Sequence, residues 1–279
     1  MDLRFAPPAL TIGSVELTAP EAHLRRLADG SLNLPGAQDA ATDAVTARLA
    51  EAAAGLTLED IPGAARRIAR LALFDWYGVA WAGAGEWPVP TIRDVVERDG
   101  GTPEATVIGT ATRLPAAAAA LVNGAAGHVL DYDDVQNEVP GHATAPVASA
   151  ILALGEAEGA SGKELLTAFI AAFETTCRVG RLLSPGHFRR GWQASTVTGT
   201  IGAAAGCARL LGLDAERTAT AIALAAMQAS GLQAGFGGDS KCFSVGHAAR
   251  SGLVAARLAE AGMGAAPDML EAPRGLAQV

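Results

Sequence analysis

The chain has 279 residues, of which 50% are hydrophobic but only 5% aromatic, with 33 glycines and a formal charge of -8. That length supports one large domain or two ordinary ones, and so few rings require a core of Ala, Leu, Val and Ile with glycines at close backbone approaches. An acidic balance without any run of Lys or Arg excludes nucleic acid as a partner, although a pocket of opposite local field can still hold an anion.

Residues 1–44 mix prolines, glycines and isolated charges and read as a weakly ordered leader with one short helix near 21–27. No basic stretch followed by an apolar run marks a signal peptide there, so the expected location is the cytoplasm. From residue 45 the pattern changes. Val45, Leu49, Ala52 and Ala53 recur at helical spacing, and Pro62 opens a second helix running through Leu71 and Trp76. A break at 83–90 precedes a short helix at 91–99, and 105–109 reads as a brief extended piece.

Longer helices follow at 115–131, 144–158, 162–182, 195–211, 214–231 and 247–261, each with small or apolar residues over a wide face. Their connections carry cap chemistry: at 184–187 and 212–214 glycine suits a helix end, and Asp214 the next helix start. Short connections make successive helices near-antiparallel neighbours. The fold class is therefore all-α, a single helical domain over 45–279. Two Gly/Ala-rich segments, 199–206 and 248–256, suit close helix contact. The most apolar windows contain Arg209 or Gln228 and Gln233, which disfavours a membrane span. Cys177, Cys207 and Cys242 are odd in number and widely spaced, reading as buried thiols rather than disulfide or metal ligands.

Three polar segments interrupt this background. In HVLDYDDVQNEVPGH, 128–142, Asp131, Asp133 and Asp134 gather at a helix end, where the macrodipole disfavours carboxylates, before a loop leading to His142. Solvated carboxylates around a turn are the plain alternative there. In GFGGDSKCFSVGHAAR, 235–250, Lys241, one of two lysines in the chain, stands in a glycine-rich loop before a helix. Backbone N–H groups of such a loop bind anions, and an ammonium among them can hold a carboxylate or a developing enolate. A solvated surface lysine is the alternative. In GWQASTVTGTIGAAAGCARLLGLD, 191–214, Gln193, Ser195, Thr196 and Thr198 open a helix; hydroxyls there cap, and no G-x-S-x-G marks a nucleophilic serine. His128 reads as a core histidine with its polar atoms satisfied, and His247 as a residue that caps or packs at the start of its helix. Trp192, Phe236 and Phe243 read as core first and pocket wall second.

Together with IPGAARRIARLALFDWYGVAWAG at 61–83, these segments resemble the MmgE/PrpD family, which includes 2-methylcitrate dehydratases, cis-aconitate decarboxylase and an iminodisuccinate epimerase. The order is kept from about residue 45 onward: L-F-D-W-Y-G-V-A, then D-Y-D-D before H-A-T-A-P-V, then T-G-T-I-G-A-A-A, then A-S-G-L before S-K and G-H-A-A-R-S-G-L. The resemblance implies an all-helical large domain without metal or organic cofactor. It also implies a homodimer and a polycarboxylate pocket shared with a smaller α+β C-terminal domain.

By motif position the resemblance makes Asp131, His142 and Lys241 catalytic. Lys241 is expected to bind the substrate carboxylate, His142 to transfer a proton, and Asp131 to orient His142 or a substrate hydroxyl. Asp134, Gln193, Ser240 and Ser244 complete the expected substrate-binding set. Gln193 and Ser244 stand where the family commonly has histidines, and the final LEAPRGLAQV stands where the family enters its C-terminal domain. Exposed apolar surface is expected on a face toward that domain. The expected activity is a cofactor-independent, 2-methylcitrate dehydratase-like lyase, acting alone or with a separate C-terminal-domain polypeptide. An epimerase or isomerase of the same family, and a non-catalytic or partner-stabilising homologue, are the alternatives.

Overall fold

The structure, a computed structural model, describes residues 25–26, 32–33, 45–136 and 139–279. Two short antiparallel ladders occur among them: β1 (Arg25–Arg26) with β2 (Leu32–Asn33), and β3 (Ala105–Thr106) with β4 (Arg113–Leu114). Arg25–Arg26 is thus extended where a short helix near 21–27 is expected, and the rest of the expected leader, 1–44, lies outside the described residues. The extended piece at 105–109 is one arm of the β3–β4 hairpin. Buried Asn123 pins that hairpin to the helix below, accepting from Ile108 N at 2.9 Å and donating to Thr106 O at 2.9 Å.

Everything else regular is helical. In chain order come α1 (Val45–Gly55), α2 (Gly63–Gly83), α3 (Val89–Asp99), α4 (Ala116–Ala126), α5 (Thr144–Glu158) and α6 (Gly162–Leu183). A one-turn α7 (Gly186–Arg189) then leads to α8 (Ala194–Leu210), α9 (Ala215–Ala226) and α10 (Ser240–Glu260). Caps fix several of these boundaries. Asp214 accepts from Arg217 N at 2.9 Å as expected, and Ser161 with Glu164 forms a reciprocal capping box at the start of α6.

The sequence dictates which helix is central. α8 has no polar face; its residues 195–208 are all buried, and it packs against α5, α6, α9 and α10. Small residues let those neighbours approach to backbone contact. A Cβ on Gly202 would lie 2.6 Å from Ala172 O of α6, and one on Gly252 of α10 would lie 2.6 Å from Thr200 O of α8. α4 and α10 meet in the same way, with a Cβ on Gly124 falling 2.7 Å from the Cα of Gly246. Alanine and glycine thus supply close packing where rings would hold the helices apart.

Three helix bounds differ from expectation. The helix expected at 115–131 ends at Ala126, and its last residues form the turn that carries the first polar segment. That expected at 214–231 ends at Ala226, because the chain turns so that Gly231 O can accept from Gln193 N at 3.0 Å. The last begins at Ser240 rather than residue 247: Gly246 is the contact with α4, and the helix runs through it.

On the outer face of α2, Leu71, Phe74 and Trp81 are exposed, Phe74 to 80%, while Trp76 on the opposite face is buried. Among the described residues no helix is long and apolar enough to cross a membrane. Cys207 and Cys242 are buried, and burial raises both thiols above their ordinary range; Cys177 is only half-buried.

Candidate active site

Beyond Ala126 the chain makes a tight turn, with His128 N bonded to Ala125 O and Asp131 N to His128 O. Asp131 adopts φ 57°, the one non-glycine positive φ among the described residues, a conformation aspartate tolerates better than most side chains. This turn sends successive side chains in opposite directions. Tyr132 projects outward, Asp131 stays at the rim with its side chain 56% exposed, and Asp133 is fully buried.

Asp133 sits between two histidines. His128 Nδ1 lies 3.0 Å and 2.9 Å from its two carboxylate oxygens. His142 Nδ1 lies 3.1 Å from its backbone carbonyl and 3.3 Å from Oδ1. The far nitrogen of His142, Nε2, is 3.4 Å from Asp131 Oδ1, which also accepts from Lys241 Nζ at 2.5 Å. The two imidazoles meet edge to face with centroids 4.7 Å apart. His142 is further fixed through its backbone N–H, which donates to Ser195 Oγ of α8 at 2.8 Å.

Lys241 therefore stands in the first turn of α10 rather than in a loop before it. Its ammonium also lies 5.7 Å from the centroid of the Phe236 ring. Trp87 Nε1 donates to Asp239 at 2.7 Å and braces this helix start against the residues leading into α3.

Each charge in the cluster modifies the others. Burial pushes Asp133 up, but hydrogen bonds and charge from His128 and His142 outweigh it and hold the carboxyl below its usual range. Asp131 behaves alike: partial burial raises it, and Lys241, then the two histidines, bring it below normal. Burial lowers His142, yet the hydrogen bond and charge of Asp133, with Asp131, leave it above the ordinary histidine value.

Linkage fixes the sign for stability. The carboxylates stabilise the fold above the ordinary carboxylate range, and this is lost as pH falls through their lowered values. His142 stabilises below its ordinary value, about 6.5, and this is lost as pH rises through its raised value. The melting temperature is therefore expected to fall as pH rises past neutrality, and His142→Gln to flatten that alkaline limb. Scanning calorimetry across pH 5 to 9 checks this, and an equal alkaline limb in the variant counts against it.

The other expected residues divide. Asp134 turns away and caps α5, accepting from Thr144 N at 3.2 Å and Thr144 Oγ1 at 2.9 Å. Burial raises its carboxyl against those bonds. Gln193 is buried at the start of α8 with Oε1 2.8 Å from Ser244 Oγ, which also reaches Lys241 O at 2.7 Å. These two form a neutral pair directly behind the lysine, with the amide nitrogen of Gln193 buried without a partner. Ser240, exposed at the first residue of α10, makes no hydrogen bond to the cluster. His247 lies in the second turn of α10, stacked on Phe243.

His128 and Asp133 are the members to which sequence reasoning assigned no role, Asp133 being read only as one of the clustered carboxylates and His128 as core. His128 reads as core, and it is buried, but its Nε2 is unpartnered and its Nδ1 serves Asp133. The available signal was the D-Y-D-D alternation, which puts the first and third positions on the same side of an extended turn.

His128, Asp131, Asp133 and His142 bring one ligand atom each within 4.8 Å of one another, a donor set of the kind that holds a divalent ion. Those atoms already bond to each other, and a metal would have to displace the Lys241 ammonium from Asp131. The arrangement as it stands offers an ammonium and an imidazole nitrogen at the rim, groups able to bind a carboxylate and move a proton.

Comparison with known proteins agrees with the segments that build this cluster. Residues 47–279 match the sequence profile of the MmgE/PrpD N-terminal domain. A cis-aconitate decarboxylase of Aspergillus terreus is 31% identical over 240 residues, covering 83% of this chain and 49% of that protein. The cis-aconitate decarboxylase-like protein oryM of Aspergillus oryzae is 32% identical over 232 residues, 78% of this chain and 47% of its own. Human cis-aconitate decarboxylase is 34% identical over 173 residues, 58% and 35% of the respective chains. The chain thus spans about half the length of the fungal relatives it matches. With the profile covering most of its residues, the chain belongs to the MmgE/PrpD family.

Proposed function

We propose that the cluster serves a cofactor-independent lyase acting on a small polycarboxylate, by chemistry at the carbon next to a carboxyl group. The observation that carries this reading is the convergence of an ammonium, Lys241, and an imidazole, His142, on the rim carboxylate Asp131. A substrate carboxylate entering from the rim takes the place of Asp131 on Lys241, which then stabilises the enolate-like charge that develops next to it. His142 Nε2 is the proton-transfer atom, because Nδ1 is engaged with Asp133. Gln193 cannot exchange a proton at neutral pH, so that work falls to His142 alone.

The same electron flow ends in either of two products. Loss of hydroxide from 2-methylcitrate makes His142 a base. Loss of carbon dioxide from cis-aconitate breaks the C–C bond, leaves the electron pair on carbon beside Lys241, and makes protonated His142 the acid that forms the new C–H bond. The raised proton affinity of His142 and the decarboxylase names of the relatives favour the second outcome.

Proton NMR of the chain in heavy water with 2-methylcitrate, citrate, cis-aconitate and iminodisuccinate tests this. Deuterium incorporation or a new alkene signal is expected with one of them. Silence with all four sinks a lyase activity carried by these residues by themselves.

The exposed stripe of α2 supports self-association, since three large apolar side chains on one face are stabilised by leaving water. Phe74→Glu is expected to lower the sedimentation coefficient of the chain without lowering its melting temperature. An unchanged coefficient removes this face from the interface.

A further inference from the structure

Asp131 is the residue that the motif order makes the partner of His142, yet it faces solvent over 56% of its side chain and its close partner is Lys241. A carboxylate so placed does not hold an imidazole in one orientation. Asp133, without exposed side-chain surface, does.

The chemistry of the donors settles the proton positions. Both oxygens that His142 Nδ1 faces, the carbonyl and the carboxylate Oδ1 of Asp133, can only accept, the carboxyl being held ionised. Nε2 faces one acceptor, Asp131 Oδ1, at 3.4 Å, and that oxygen is already taken by Lys241, so Nδ1 with its two closer acceptors keeps the hydrogen in the neutral ring and Nε2 is where a proton comes and goes. His128 is bound by the same logic: its Nδ1 faces only the Asp133 carboxylate and donates to it. That bond fixes the carboxylate, and the edge-to-face contact of the rings leaves His142 little room to turn. The charged and titratable groups around His142 are Asp131 and Asp133 in contact, His128 across the ring, Asp134 beyond them and Lys241 behind Asp131.

We propose that Asp133, itself locked by His128, is the positioning residue for His142, fixing the Nδ1–H tautomer so that Nε2 is presented to the substrate. This rests on the lyase reading for its consequence in turnover, but not for the tautomer itself.

Long-range proton–nitrogen correlation NMR of the uniformly labelled chain reads the tautomer without substrate. His142 is expected to be the Nδ1–H form at pH values above its titration, and to move part of its population toward Nε2–H in Asp133→Asn, whose amide can donate to Nδ1 while the backbone carbonyl of residue 133 still accepts from it. His128→Asn, which retains a donor toward Asp133, is expected to keep the wild-type tautomer, and His128→Phe to lose it. An Nε2–H tautomer in the wild-type chain overturns the proposal, whether or not the variants fold.

Where turnover is found, Asp133→Asn is expected to lower kcat by about 10²- to 10⁴-fold with KM little changed, since an imidazole held in the wrong tautomer binds nothing less but transfers no proton. A kcat within twofold of wild type overturns the role in turnover. Absence of turnover in the wild-type chain counts against the lyase reading alone and leaves the tautomer result standing.

Discussion

Lys241→Ala is expected to reduce turnover of the polycarboxylate by at least about 10²- to 10³-fold, the usual loss when one preorganised group facing developing negative charge is removed. The fall should appear chiefly in kcat, because the ammonium is worth more against an enolate than against a carboxylate already solvated in water. The fold should survive, since the lysine head lies at the rim and its aliphatic stem is partly exposed. The charge balance around His142 changes as well. Without the ammonium, the Asp131 carboxylate next to His142 is no longer shared with Lys241, so His142 holds its proton more tightly and its titration moves to higher pH. Steady-state kinetics across pH, with a thermal melt alongside, check both parts. A variant with wild-type kcat removes Lys241 from the chemistry.

Gly252→Val is expected to destabilise the chain by about 3 kcal/mol or more, a large share of the stability of a typical domain. The bland expectation has the opposite sign, because glycine in a helix interior is disfavoured relative to alanine by about 1 kcal/mol. Geometry decides the contest. The Cβ would meet Thr200 O at 2.6 Å and Ala204 N at 2.8 Å, both backbone atoms of α8 that no rotamer change can move. α8 is also packed on α5, α6 and α9, so it cannot shift without disturbing them. Even Gly252→Ala should be net destabilising, overpacking outweighing propensity. Urea denaturation gives the numbers, and a midpoint at or above wild type for the alanine variant contradicts the account of the core.

Much of this core was legible in the residues. The small-residue segments at 199–206 and 248–256 pointed to close helix contact, and Gly202 and Gly252 make it. Helix ends were harder: the start expected at residue 247 lies at Ser240, and the contact of Gly246 with Gly124 inside that helix is visible only in the fold. Within the site, Asp131, His142 and Lys241 were legible from motif order, and the structure brings them together. Asp134 was not separable from its neighbours: whether an aspartate in a polar loop faces a ligand or caps the next helix depends on one backbone turn. Spacing put Asp133 among the clustered carboxylates, but the roles of Asp133 and His128 come from burial, which is a property of what packs over them.

The meeting of Gly124 with Gly246 has a mechanical side. Gly124 lies on the helix whose end leads into Asp131, and Gly246 on the helix whose first turn carries Lys241. The gap between anion and cation is accordingly gauged by two backbones resting on one another, as a caliper is set at its pivot rather than at its tips. Replacing side chains around the rim leaves that setting alone, whereas a single methyl at the pivot opens the jaws without touching any group that meets the substrate.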